Sequence, residues 1–183
     1  MNIDEYYNLM ANMPSDINEH LPTLLKYAKE CDEIIEMGVR DVVSTWALLA
    51  ARPKRLESWD ILFHNNMNIA LKEAYKENLD FKFVIADTTK ASVQGADMLF
   101  IDTLHNYEQM KKELEIHPPK IRKYICFHDT VSYASRNEVG HGIGILPAIK
   151  EFLAEHQEWK IKESFNNNNG FLVIERQNQY NNT

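Results

Sequence analysis

Cysteine is scarce: only Cys31 and Cys126 occur in 183 residues, far apart and without the spacing of a metal-binding pair. That scarcity excludes a disulfide framework and a zinc knuckle, and the two residues read as ordinary buried thiols in a reducing compartment. Nowhere do eighteen apolar residues follow one another, so no membrane-spanning helix is expected. The opening MNIDEYYNLM carries acids where a secretory leader would be basic. Basic residues are the minority, 20 against 27 acidic ones for a formal charge of −7, which argues against a nucleic-acid backbone as partner. Together these absences favour a soluble, cytoplasmic protein with a small-molecule partner, without nucleic-acid or membrane partners, and with a homo-oligomer left open.

What is present has the size of a single domain over residues 1–183. Residues 1–30 read as an N-terminal helical layer. Ser15 suits a cap, Pro22 suits the first position of a helix, and Leu21, Leu24, Leu25 and Ala28 recur at helical spacing. From residue 31 to 177 short apolar runs alternate with amphipathic ones: EIIEMG, VVSTWALLAA, RLESWDI, NMNIALKEAYKE, FKFVIAD, ADMLFID, HNYEQMKKELEI, KYICFHD and ILPAIKEFLAEH. That alternation predicts an α/β fold, a doubly wound and mostly parallel sheet with helices on both faces. EWKIKESF and GFLVIERQ flank NNNNG with no room for a crossover helix, so they predict a C-terminal antiparallel hairpin whose turn needs left-handed backbone angles. Residues 178–183 read as a frayed tail.

In such a sheet ligands bind beyond the carboxyl ends of the strands, near the point where strand order reverses. Here those ends read Glu36-Met37-Gly38, Asp60, Asp87, Asp102 and His128-Asp129. One polar strand end is ordinary; five acidic ones in series suggest a site. Gly38 lets a backbone approach a ligand, and Ser44 and Thr45 can cap the next helix or donate a hydrogen bond. Asp60 follows Gly38 at about the interval, roughly 20 residues, at which an acid accepts from ribose hydroxyls. A nucleoside ligand fits. The loop GVRDVVST has one glycine and an added acid, Asp41, so it lacks the GxGxxG cradle for the pyrophosphate of a nicotinamide dinucleotide.

The stretches EMGVRDVVSTWALL, ESWDI, FVIADTTK, ADMLFIDTLHNYEQMKKELE, KYICFHDT, GIGILPAIKEF and NNNNGFLVIER span most of the chain. They resemble the class I S-adenosylmethionine-dependent methyltransferases, in the branch of cephalosporin hydroxylase-like proteins and macrolide-sugar O-methyltransferases. The resemblance implies a Rossmann-like seven-stranded sheet with its last strand antiparallel. It also implies S-adenosylmethionine as cofactor and methyl transfer to a hydroxyl of a small acceptor, such as a sugar or glycosylated metabolite. Glu36 and Gly38 would lie by the methionine part, Asp60 at the ribose, Asp87 at the adenine amino group and Asp102 near the reacting end, with Ser44 a further cofactor-binding residue. In metal-dependent relatives the positions of Asp102, His128 and Asp129 hold a divalent ion such as Mg²⁺. The imidazole here suits zinc, manganese or iron better than magnesium. Departures from the family pattern are Val42 for the second glycine, and Thr103 and Leu104 within IDTLHNY.

Asp102, His105, Tyr107, His128 and Asp129 are expected to converge where an acceptor hydroxyl loses its proton, with His105 and Asp129 as catalytic groups. The same residues also admit structural roles: Tyr107 and His105 can open a helix, and His128 can pack. His64, His117, His141 and His156 read as surface or loop residues. GHGIG, with Arg136 and Glu138 before it, reads as an acceptor loop or a flexible connection. Two rivals stand beside methyl transfer: an NAD-dependent oxidoreductase and a non-catalytic nucleoside-binding protein with a worn site.

Overall fold

The computed structural model describes residues 1–177; the expected tail at 178–183 lies outside them. Helix α1 (Ile3–Asn12) opens on a capping box in which Asn2 and Glu5 satisfy each other's backbone N–H. A 3-10 turn, Asn18–His20, leads into α2 (Leu21–Ala28), whose first turn holds Pro22. The rest alternates as the apolar runs predict: β1 (Glu33–Met37), α3 (Val43–Ala50), β2 (Arg55–Asp60), α4 (Met67–Lys76), β3 (Phe81–Ile85), β4 (Ala96–Ile101), α5 (Tyr107–Ile116), β5 (Ile121–His128), α6 (Leu146–Glu155), β6 (Trp159–Phe165) and β7 (Phe171–Arg176).

The seven strands form one sheet in the order β3-β2-β1-β4-β5-β7-β6. Only β7 runs against its neighbours, pairing antiparallel with both β5 and β6. β1 and β4 are central and covered on both faces, which is why ADMLFI is buried throughout without alternation. One face packs residues of α1, α2, α3 and α4, among them Leu21, Leu24, Tyr27 and Leu48; the other packs α5 and α6 through Met110, Leu114, Ile149 and Phe152. The N-terminal layer is thus part of the core, with Leu21 and Leu24 fully buried. Strand order reverses between β1 and β4, placing the ends of β1, β2, β4 and β5 around one crevice.

The asparagine turn is left-handed at Asn168, Asn169 and Gly170 (φ 43°, 71° and 94°), as its composition predicts. It also binds the N-terminal layer: the Asn168 side chain donates to the Ser15 carbonyl and accepts from the Glu19 N–H, while Asn167 donates to Glu19.

Candidate active site

Beyond the strand ends lies a cavity of about 430 Å³, lined among others by Gly38, Arg40, Asp60, Asp87, Asp102 and His105. That volume is within the usual range for small-molecule sites, roughly 300–1,000 Å³. Gly38 ends β1 with φ +82°, and a Cβ there would come within 2.0 Å of the Asp102 carbonyl. Its need for glycine therefore arises first from the crossing of two strand ends, and only second from a ligand. Val42, where the second glycine would stand, is also left-handed (φ 67°), and its fully buried side chain offsets the cost of that geometry.

Asp60 lies on the cavity wall and accepts from the N–H groups of Val39 (2.9 Å), Arg40 (3.3 Å) and Leu62 (3.1 Å). Burial pushes its carboxyl up, but these backbone donors outweigh burial and hold it below the usual range. His64, read as a surface residue, packs its Nε2 3.2 Å from Asp60, because the turn after β2 folds back on the strand end. Asp87 lines the cavity rim. Its carboxylate accepts from Lys90, which with the Thr89 hydroxyl and N–H brings it down to about 2.

Glu36 and Ser44 correct the expectation of direct cofactor contact. Glu36 is fully buried behind the cavity wall and accepts from Ser44 Oγ (2.6 Å), Thr45 Oγ1 (2.8 Å) and Ser58. Ser44 and Thr45 therefore neither cap α3 nor reach the cavity; their hydroxyls solvate an acid that burial pushes up to about 7.

At the other end Asp102, His105, His128 and Asp129 do converge. Asp102 Oδ1 lies 3.2 Å from His105 Nε2 and 3.3 Å from His128 Nδ1; Asp129 Oδ2 lies 3.0 and 3.3 Å from the same two nitrogens. His105 is further fixed by Glu138 at 2.8 Å on Nδ1 and by Tyr133 stacked on its ring at 4.8 Å between centroids. His128 is buried and turns its Nε2–H to the carbonyls of Asp16 (3.0 Å) and Asn168 (3.3 Å), so its Nδ1 faces the carboxylates. Asp16 is also the ion-pair partner of Arg40. Burial pushes both imidazoles down, yet the surrounding carboxylates override it and bring each up to about 10. Conversely, the imidazoles hold Asp102 well below the carboxylate range, and lower Asp129 as well, against burial. In this arrangement His105 is an imidazolium, not a free base.

Tyr107 is a correction: it starts α5 and its hydroxyl donates to Glu151 on α6 at 2.7 Å, away from the cluster. His117 is another. It is fully buried, its Nε2–H donating to the Thr88 carbonyl at 2.8 Å, because the 3-10 turn Pro118–Lys120 folds it under the sheet. The 140–144 loop is tied back to the stretch before it by an Arg136–Ile143 bridge, and Glu138, between those two residues, reaches His105. Cavity residues that the sequence did not single out include Thr88 and Gln109. Their signal was faint: Asn106, three positions before Gln109, makes the N-cap bond that places Gln109 in the first turn of α5.

Asp102, His128 and Asp129 each offer one ligand atom, all within 4.8 Å of one another, and Asp129 Oδ1 is buried without a hydrogen-bond partner among the described residues. Two carboxylates and an imidazole fit a divalent transition ion, and the orphaned oxygen has room in its valence for one.

No family model and no curated protein matches the chain. Solved structures do. An N-methyltransferase, NodS from Bradyrhizobium japonicum WM9 in complex with S-adenosyl-L-homocysteine, is 15% identical with a TM-score of 0.66, over 98% of this chain and 100% of that one. The O-methyltransferase TomG from Streptomyces achromogenes, involved in tomaymycin synthesis and in complex with SAM, is 15% identical with a TM-score of 0.64, over 95% and 90%. The ribosomal protein L11 methylase of Lactobacillus delbrueckii subsp. bulgaricus is 15% identical with a TM-score of 0.58, over 87% and 79%. The fold is therefore the Rossmann-like one of class I S-adenosylmethionine-dependent methyltransferases.

Proposed function

We propose that this chain is an S-adenosylmethionine-dependent methyltransferase acting on a hydroxyl of a small acceptor, of which a sugar or glycosylated metabolite is the leading class. The observation that carries the reading is one continuous cavity running past Gly38 and Asp60 to the His105–Asp102–Asp129 cluster. Its acidic lining suits a cationic sulfonium, and the S-adenosylhomocysteine bound by NodS and the SAM bound by TomG, both similar in fold, support the cofactor class. A nicotinamide dinucleotide is disfavoured because the Val39 and Arg40 amides, which would face a pyrophosphate, are already donated to Asp60. The worn-site alternative is disfavoured by the four converging titratable groups, which structural packing alone does not require.

In the reaction the acceptor oxygen forms a bond to the methyl carbon while the carbon–sulfur bond breaks and its electron pair returns to sulfur, leaving neutral S-adenosylhomocysteine. Asp60 holds the ribose, Gly38 gives the cofactor room at the strand crossing, and His105 first passes to solvent the proton that Asp102, Asp129 and Glu138 keep on it and then takes the acceptor proton. A divalent cation held by Asp102, His128 and Asp129 would supply charge that favours this release and lowers the acceptor's pKa. The reading carries with it a cytoplasmic enzyme without nucleic-acid or membrane partners. No described helix is long and apolar enough to cross a membrane.

The test is methyl transfer from isotope-labelled S-adenosylmethionine into a hydroxyl-bearing metabolite mixture, with and without chelator and manganese. Label should enter an acceptor as a methyl ether. His105→Ala should lower turnover by about 10²–10⁴-fold at saturating cofactor. Label appearing only on amines would overturn the hydroxyl assignment, and undiminished transfer after chelation would remove the cation.

A further inference from the structure

We propose that Gln109, held by the buried carboxylate of Glu113, presents its side-chain carbonyl to the cavity and reads the exocyclic amine of an adenine base. This rests on the reading of the cavity as an S-adenosylmethionine site and names the residue that selects its base. The carboxylate of Asp87, the residue the sequence points to for that amine, holds the Thr89 hydroxyl (2.6 Å), the Thr89 N–H (3.0 Å) and Lys90 (2.8 Å).

Behind the same stretch of wall Glu113 is fully buried on α5 and gathers three donors: the Thr88 hydroxyl, the Thr103 hydroxyl at 2.9 Å and the Gln109 Nε2 at 2.8 Å. Thr88, Thr103 and Gln109 all line the cavity, so one hidden acid fixes three of its side chains. Gln109 Nε2 also donates to Thr88 Oγ1 at 3.1 Å, and the Thr88 carbonyl is pinned from below by His117. Both amide hydrogens of Gln109 are thus engaged inside the wall, and its Oε1, which has no partner among the described residues, is the polar atom left for the cavity. The opposite orientation would set the amide oxygen against the Glu113 carboxylate.

A lone acceptor there matches the 6-amino group of adenine. A 6-oxo base would bring oxygen against oxygen and leave Gln109 unpaired, the kind of mismatch a hydrogen-bonding site rejects strongly. Thr88 follows β3, which lies beyond β2 and its Asp60 from β4, and Gln109 is hydrogen-bonded to Thr88, so the base of a nucleoside would lie there with its ribose on Asp60 and its sulfonium toward the cluster.

Competition calorimetry with S-adenosylhomocysteine and its 6-oxo counterpart, S-inosylhomocysteine, tests this on the intact chain. Wild type should prefer the amino form by about tenfold or more. Gln109→Met, which keeps bulk and loses the acceptor, should bring the two affinities together, and so should Glu113→Gln, which frees the amide to turn; melting curves establish which variants fold, and the ratio is read on those. An undiminished preference in a folded Gln109→Met, or no preference in wild type, would overturn the inference and leave the cofactor reading standing. Wild type that binds neither compound would overturn that reading instead, and this inference with it.

Discussion

Glu36 has no exposed surface and answers to three hydroxyls, those of Ser44, Thr45 and Ser58. Neutral donors compensate a buried charge only in part, which is why burial brings its carboxyl up to about 7 from its ordinary 4.5. The native state then binds this proton more tightly than the unfolded one, so the contribution to stability is largest below pH 4.5 and falls as pH rises toward 7. The loss is on the order of 3 kcal/mol at about 1.36 kcal/mol per pKa unit. Glu36→Gln should flatten that fall: melts of wild type and variant at pH 5 and pH 7.5 should show a smaller difference in the variant, and equal differences would contradict the account. The places of single residues were legible where the run of the strand alone sets them. Asp60, Asp102 and Asp129 end strands, and strand ends follow from the run of apolar residues. Glu36 was misjudged because burial behind the cavity wall depends on where α3 and β2 deliver their hydroxyls, and Gln109 was missed because its place in the cavity wall depends on Glu113 and Thr88 from other turns of the fold.

The N-terminal layer and the asparagine turn do more than close the ends of the chain. They meet over His128, which donates to one carbonyl from each, Asp16 and Asn168. The helical spacing of Leu21, Leu24 and Leu25 was enough to place a helix on the core, and the Asn-Gly composition was enough to place a left-handed turn. What neither could convey is that the two segments touch, since the contact spans the length of the chain. Leu24 is fully buried on α2 in the face shared with α3. Leu24→Ala should cost about 2–5 kcal/mol, the range for a large-to-small change in a packed core. Chemical denaturation measures it. A loss within a few tenths of a kcal/mol would mean that the layer rests on the domain without belonging to its core.

At the scale of the molecule, the alternation of apolar and amphipathic runs specified the class of sheet and its C-terminal hairpin, because strands covered on both faces are predominantly apolar and a short connection must be antiparallel. The order β3-β2-β1-β4-β5-β7-β6 then gathers residues from positions 38 to 138 around one crevice. The central claim is that this crevice takes a sulfonium nucleoside and not a dinucleotide. Calorimetric titration of the wild-type chain with S-adenosylhomocysteine and with NAD is the most direct measurement. S-adenosylhomocysteine should bind with one-to-one stoichiometry and NAD should not, and Asp60→Ala should weaken binding by roughly 1.5–3 kcal/mol. Saturable NAD binding without S-adenosylhomocysteine binding would contradict the account.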